Sequence, residues 1–361
     1  MRVSPRLGKG CAERGRSIDR LLDRPLPSPP MSLTLTRDRL ATLLDLSRNK
    51  RIAIVGDAML DVYLSGDVDR VSPEAPVPIV RVRERKHALG GASNVAQNVV
   101  ALGCRCDLVA AVGNDRSAET LRVMLSGMGA GVGSLLVVDR PTTVKTRVVA
   151  RSQQLLRVDE EDDADLGPAD ITKLLSVIEK AVAAADALVL EDYNKGVLVA
   201  EVIEFAIAQA RTKGIPIVVD PKYRNFFAYR GATIFKPNRR ELNAALGATV
   251  HVDDERSLPD VVRRLDVQNL LLTLGELGMV LVSAQGEVGR VPTVAREVYD
   301  VVGAGDTVTA YLAAMLAGGA TAAEASVVAN IAAGIEVGKL GAATVSGREL
   351  LEYVDAHALH H

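Results

Sequence analysis

Short runs of aliphatic and β-branched residues alternate along the chain with longer segments in which apolar positions recur every three or four residues. The short runs have the length of buried strands, and the longer segments have the apolar stripe of a packed helix. Three predicted strands are each followed by a predicted helix: 52–55 by 92–102, 108–112 by 118–128, and 187–190 by 200–211. Two further strands are predicted at 215–219 and 270–274. This order predicts an α/β fold, with a mostly parallel central sheet covered by helices on both faces.

Two segments do not fit that alternation. Residues 62–83 hold three prolines and end in an alternating apolar and polar stretch, and residues 143–159 alternate as well. Strict alternation is typical of half-exposed strands, so we predict a small β lid from about 62–90 and 143–159. Because exposed strand edges pair readily between subunits, we expect a homodimer.

Composition narrows the class of protein. Residues 1–30 are rich in arginine and proline and lack apolar periodicity, which predicts a disordered extension over 1–35 before one domain over 36–361. The 43 basic and 45 acidic residues give a net charge of -2, which argues against nucleic acid as a partner. The longest uncharged apolar stretch, 307–323, is short for a membrane span and predicts a buried helix. Three cysteines make no disulfide framework and favour a reducing, cytoplasmic location.

The strongest chemical signal is Gly303-Ala304-Gly305-Asp306, directly before the helical run 307–316. Glycines at a helix start permit tight turns, and the free amides there form an anion site. A carboxylate at this junction has the chemistry to accept a proton from a substrate hydroxyl while the amides hold a phosphoryl group. The alternative is that Asp306 only caps the helix.

Three further motifs accompany it. Gly90-Gly91 followed by Asn94 opens a helix and suits close approach to a polar ligand. Asn238 and Glu241 have capping-box spacing, which also places an amide and a carboxylate where a magnesium nucleotide can bind. Residues 273–278 form a glycine-bearing turn that suits phosphate contact and equally a hairpin. A Walker A loop and a dinucleotide-binding fingerprint are both absent, so a dehydrogenase is the weaker hypothesis.

With these motifs in this order, residues 51–353 resemble the ribokinase-like (PfkB-type) carbohydrate kinases, and within them the bacterial heptose-7-phosphate kinases. The resemblance implies a three-layer α/β/α sandwich with a β lid. The supporting segments are 55–61, 72–78, 151–157, 191–196, 297–300 and 337–346, together with the Gly-Ala-Gly-Asp motif.

The resemblance also implies an activity. Such enzymes transfer phosphate from ATP to O1 of D-glycero-β-D-manno-heptose 7-phosphate, on the path to ADP-heptose and lipopolysaccharide. It implies Mg²⁺ as a cofactor and leaves open a monovalent cation near the loop after Lys339. Since the nucleotidylyltransferase part of the bifunctional relatives has no counterpart here, we expect a separate protein to act downstream.

Site residues follow by position from the resemblance. The catalytic set is Asp306 as base with the amides of Gly303, Ala304 and Gly305. The nucleotide set is Asn238, Glu241, Thr273, Gly275, Gly278 and Asn330, with Glu241 at the metal. The sugar set is Asp61, Gly90, Gly91, Asn94 and Asp192. Cations expected for the 7-phosphate are Lys145, Arg147, Arg151, Lys195 and the less specific Arg85.

Two alternatives remain open. One is another ribokinase-like sugar or sugar-phosphate kinase, which a substrate panel would distinguish. The other is a non-catalytic sugar-sensing protein on the same fold, which the complete set of Asp306, Asn238 and Glu241 disfavours.

Overall fold

The computed structural model describes residues 31, 33–150, 153–251, 257–295 and 298–357. Its helices are α1 (Arg37–Ser47), α2 (Ala92–Ala101), α3 (Arg116–Gly127), α4 (Pro168–Ala184), α5 (Ala200–Lys213), α6 (Arg239–Leu246), α7 (Leu258–Leu265), α8 (Ala304–Ala317), α9 (Ala322–Glu336) and α10 (Gly347–His357). No helix in these ranges is long and apolar enough to cross a membrane.

The strands form two sheets. They are β1 (Arg51–Gly56), β2 (Ala58–Val71), β3 (Pro78–Gly91), β4 (Arg105–Val112), β5 (Leu135–Val137), β6 (Val144–Ala150), β7 (Gln153–Glu160), β8 (Ala187–Glu191), β9 (Ile217–Asp220), β10 (Ile234–Phe235), β11 (Asn269–Thr273), β12 (Met279–Ser283) and β13 (Val288–Val291). The larger sheet has the order β13-β12-β11-β10-β9-β8-β1-β4-β5 and is parallel except at the β11-β12 and β12-β13 pairs.

Alternate residues of the central strands enter two separate apolar cores. On β1, Ile52 and Ile54 pack with helices that include α2, α8 and α9, whereas Ala53 and Val55 pack with α4 and α5 on the other face. Because both faces of the sheet are covered, its strands are apolar throughout. The predicted three-layer α/β/α class is confirmed, and the apolar stretch 307–323 is largely the buried helix α8.

The smaller sheet, of order β3-β2-β6-β7, is the lid. The long hairpin of β2 and β3 continues directly from the central strand β1, and β6 adds in parallel along β2. Residues Asp61 and Tyr63 on β2 therefore lie beside Lys145 and Arg147 on β6. This register brings residues from two distant parts of the chain to one face of the lid.

Contacts with the core begin before residue 36, the domain boundary expected from the sequence. The Met31 N–H donates to the Val288 carbonyl at 3.2 Å, and Leu33 lies against Gly289 on β13. Leu35 is 8% exposed and belongs to the main core. Met31, Leu33 and Leu35 are thus packed against the domain, while the expected disorder of residues 1–30 lies outside the described residues.

The buried contact of Leu35 is testable by truncation. We expect Leu35→Ala to lower the free energy of unfolding by about 2 to 5 kcal/mol, because it leaves a cavity in the core. Leu46→Ala, on the exposed side of α1 with 51% of the residue exposed, is the matched control and should change it by about 0.5 kcal/mol or less. Denaturant titration measures both, and equal losses would contradict a packed segment before α1.

Candidate active site

Asp306 lies in the first turn of α8, at the carboxyl edge of the parallel sheet. The helix is preceded by Gly303, whose φ of +96° suits glycine because it has no Cβ. The sequence left open that Asp306 only caps the helix, but its side chain does not do so. The N-cap position is occupied by Gly303, which makes no side-chain hydrogen bond. Its carboxylate is instead turned into the protein, and the residue is 5% exposed.

Two donors hold that carboxylate. The Tyr193 hydroxyl donates to Oδ1 at 2.7 Å, and the Asn94 side-chain amide donates to Oδ2 at 2.8 Å. Burial raises the pKa of Asp306 to about 6, although both hydrogen bonds act in the opposite direction. A carboxylate with this pKa is ionised at neutral pH and basic enough to accept a proton.

Glu191 and Asp220 lie beside Asp306, at the ends of the neighbouring strands β8 and β9. One carboxylate oxygen from each of the three lies within 4.8 Å of the others. Lys236 donates to Asp220 at 2.7 Å, whereas neither oxygen of Glu191 has a hydrogen-bond partner in the described part of the chain. Burial, with Asp220 and Asp306 close by, raises the pKa of Glu191 well above its usual value.

The capping box at the start of α6 forms as predicted. Asn238 Oδ1 accepts from the Glu241 N–H at 2.8 Å, and Glu241 Oε2 accepts from the Asn238 N–H at 2.9 Å. The other oxygen of Glu241 accepts from the Lys222 ammonium. The motif thus keeps its structural role and still presents a carboxylate to the cleft.

A cleft of about 640 Å³ joins this motif to Asp306. Thr273, Gly275, Gly278 and Asn330 line it, as do Gly303, Ala304 and Gly305. The turn after Thr273 connects the antiparallel strands β11 and β12. It therefore forms the hairpin that the sequence also allowed, in addition to lining the cleft. Asn330 donates to the Pro292 carbonyl at 2.8 Å, which fixes its side chain at the cleft wall.

The predicted sugar residues meet on the lid side of Asp306. Gly90 packs so closely on Asp61 that a Cβ would lie 3.0 Å from its Oδ2, and Gly91 packs against the Tyr193 ring. Asp61 Oδ1 in turn accepts from the Arg147 guanidinium at 2.7 Å. Asn94 donates one of its two side-chain N–H groups to Asp306, and its contact with a sugar hydroxyl stays a prediction.

The predicted phosphate-binding cations have acidic partners. Glu161 accepts from Lys145 at 3.0 Å and from Lys195 at 2.6 Å, and Arg147 pairs with Asp61. Arg85 is exposed on β3, and Arg151 lies outside the described residues. A bound phosphate would therefore have to exchange partners with these carboxylates.

Asp192 is 2% exposed and is held on both oxygens. Its Oδ1 accepts from the Asn194 N–H at 2.7 Å, and its Oδ2 accepts from the Tyr229 hydroxyl at 2.8 Å. These bonds tie the loop after β8 to the protein interior. A substrate contact at Asp192 stays a prediction.

Five residues of the site were not singled out from the sequence: Tyr193, Glu191, Asp220, Lys222 and Lys236. Glu191 and Asp220 are the first polar positions after apolar runs predicted as parallel strands. Ligands of open α/β sheets bind at the carboxyl ends of such strands, and this rule was the available signal.

A comparison with known proteins agrees with the geometry. The family model of the pfkB family carbohydrate kinases matches residues 49–347. The chain belongs to the pfkB family of carbohydrate kinases. The family match covers both the nucleotide motif and the helix that carries Asp306.

Several similar proteins carry the name bifunctional protein HldE, and two of them show the range of identity. The one from Rhodospirillum rubrum is 49% identical over 84% of this chain, and the one from Citrifermentans bemidjiense is 41% identical over 89%. The chain spans 62% and 66% of the length of these two relatives.

Solved structures share the fold. Arabidopsis thaliana ribokinase, complexed with ribose and ATP, has a TM-score of 0.67 at 19% identity and covers 84% of this chain and 98% of its own. Phosphofructokinase-2 from Escherichia coli, in complex with potassium, has a TM-score of 0.69 at 20% identity and covers 85% and 99%.

Replacing the base tests its role directly. We expect Asp306→Asn to lower kcat by about 10² to 10⁴, because the amide cannot accept the hydroxyl proton, while nucleotide affinity is retained. Asp107→Asn, in an ion pair with Arg51 at the opposite edge of the sheet, is the control and should leave kcat unchanged. Steady-state kinetics and nucleotide titration measure these values. Near-normal turnover of Asp306→Asn would refute the assignment.

The Tyr193 hydroxyl should affect how kcat/KM depends on pH. In the wild type, kcat/KM should rise with pH through about 6, as Asp306 loses its proton, and then level off. Tyr193→Phe removes a hydrogen bond that favours the charged carboxylate, so the pKa should rise and this limb should move to higher pH.

Tyr229→Phe removes a comparable bond, to Asp192, and should leave the limb in place. pH–rate profiles of the three proteins compare the limbs. An unshifted limb in Tyr193→Phe would contradict the role given to the hydroxyl.

Proposed function

We propose that this chain transfers the γ-phosphoryl group of ATP to O1 of D-glycero-β-D-manno-heptose 7-phosphate. The observation that carries the proposal is the buried, hydrogen-bonded Asp306 at a glycine-preceded helix start, between a lid and a nucleotide motif. The relatives named HldE support the heptose substrate, since most of this chain matches them at 41% to 49% identity.

The chain's own residues divide the chemistry. Asp306 accepts the proton of the 1-hydroxyl as that oxygen bonds to the γ-phosphorus, and the bond from phosphorus to the bridging oxygen breaks to release ADP. Tyr193 and Asn94 keep the carboxylate oriented during this step. The Gly305 amide at the start of α8 stabilises charge on the transferred group, whereas the Ala304 amide donates to the Val301 carbonyl at 3.4 Å.

The nucleotide side fits ATP with magnesium. Asn238, Glu241, Thr273 and Gly275 line the cleft on one side of Asp306, and Glu241 presents carboxylate oxygen of the kind that Mg²⁺ prefers. Asp220 is a second carboxylate within reach of the same space. Magnesium, when bound, supplies positive charge to the phosphate oxygens.

The lid and the loop after β8 together supply the cations for the 7-phosphate. Arg147, Lys145 and Lys195 lie in one half-buried network with Asp61 and Glu161. A phosphate group would compete with these carboxylates for the same donors. Specificity for a phosphorylated sugar then follows, because an uncharged sugar leaves the existing ion pairs intact.

The lid also supports the expected homodimer. Strand β7 is at an edge of the smaller sheet and exposes Leu156 and Val158, which are 48% and 46% exposed. Pairing of two such edges would cover this apolar surface.

A substrate panel at fixed ATP, scored for ADP release, tests the proposed function. We expect the highest kcat/KM with heptose 7-phosphate and a value about 10- to 100-fold lower with the same heptose lacking the phosphate, since one charged contact is lost. Ribose, fructose and fructose 6-phosphate complete the panel, and Asp306→Asn provides the blank.

The panel also distinguishes the alternatives. Preference for another sugar would assign a different ribokinase-like kinase. Absence of ADP formation with every sugar would favour a non-catalytic protein.

A further inference from the structure

Two lysines line the cleft within the described part of the chain, Lys222 and Lys236. The two side chains differ in how far they are exposed to the cleft. Lys236 is 3% exposed and is fixed to Asp220 at the floor. The Lys222 side chain is 25% exposed and reaches across the cleft from the loop after β9. Only Lys222 therefore has room to change partners when a ligand enters.

The Lys222 ammonium lies between the two ends of the proposed transfer. On one side it donates to Glu241, in the nucleotide motif. On the other side it lies 5.0 Å from the centroid of the Tyr193 ring, whose hydroxyl donates to the base Asp306. A phosphoryl group passing from the nucleotide to a hydroxyl at Asp306 would have to pass close to this ammonium.

The surroundings of Lys222 favour its charged form and leave N–H donors of the ammonium available to a ligand. Its ion pair with Glu241 and its position over the Tyr193 ring are contacts that favour the charged ammonium. An ammonium has three N–H donors, and the contact with the aromatic face of Tyr193 holds the charge without accepting a conventional hydrogen bond.

The carboxyl groups around the cleft would repel a bound polyphosphate unless a cation offsets their charge. Asp220, Glu241, Glu276 and Asp306 line the cleft, so a polyphosphate would meet four carboxyl groups there. The amides of α8 and a magnesium ion offset part of this repulsion, and an ammonium beside the transferred group offsets more.

We propose that Lys222 is a catalytic residue that binds the γ-phosphoryl group during transfer, with Glu241 holding its ammonium in place beforehand. This inference rests on the proposed kinase function. Lys222 forms no covalent bond and keeps its proton; it donates hydrogen bonds to the γ-phosphoryl oxygens as charge shifts toward the leaving ADP.

Binding of two nucleotides separates the γ-phosphate contact from every other contact. Calorimetric titration with ADP and with the non-hydrolysable β,γ-imido analogue of ATP, both with Mg²⁺, gives the affinity that the third phosphate adds. In Lys222→Met we expect this gain to fall about 10- to 100-fold, the range for one charged hydrogen bond, with ADP affinity unchanged. Lys222→Arg should keep most of the gain, because it keeps the charge.

Lys50→Met is the matched control, since Lys50 pairs with Asp186 at the opposite edge of the sheet. It should leave both affinities unchanged. With sugar substrate present, Lys222→Met should also lose about 10² to 10³ in kcat while the KM of the sugar stays the same. Thermal unfolding checks the fold, and Lys222→Gln replaces the Met variant if that variant does not fold.

The outcomes are distinct for the two proposals. A γ-phosphate gain that survives in Lys222→Met, or in Lys222→Gln, overturns the role of Lys222 and leaves the kinase function standing. Wild-type protein that binds neither nucleotide overturns the proposed function and the inference with it.

Discussion

The hydrogen bonds that hold the buried carboxylate of Asp306 are the contacts on which the rest of the site depends. Asp306 must be charged to act as the proposed base, yet burial disfavours its charge. Tyr193, after the strand β8, and Asn94, in the helix α2, provide donors from two distant parts of the chain. Their convergence requires the parallel order of β8 and β1, which brings the loops after these strands to one edge of the sheet.

The same requirement explains the surrounding charges. Glu191 and Asp220 end adjacent strands in register, so they meet beside Asp306 whether or not their charges are compatible. Lys236 offsets the charge of Asp220, and Lys222 is shared between this cluster and Glu241. The cleft therefore combines a local excess of carboxylates with a few well-placed cations, although the whole chain has a net charge of only -2.

Much of this arrangement follows from the sequence, because its signals are local. Apolar runs predicted the layered fold, Gly303 to Asp306 predicted the helix start, and the spacing of Asn238 and Glu241 predicted a capping box that is present. Pairings across the fold were not predictable in this way. The bond from Asn94 to Asp306 joins residues 212 positions apart, and the lid cations have partners, such as Glu161, that depend on strand register. Likewise, Leu35 belongs to the core through contacts with residues far along the chain.

The most direct test of Asp306 as the base for the 1-hydroxyl is to identify the product formed from ATP and heptose 7-phosphate. Phosphorus NMR measures it. Transfer to O1 gives one new phosphate resonance coupled to the anomeric proton, with one ADP formed for each sugar phosphorylated. A phosphate on any other oxygen, or ADP formation without a new sugar phosphate, would contradict the assignment of Asp306 as the base for the 1-hydroxyl.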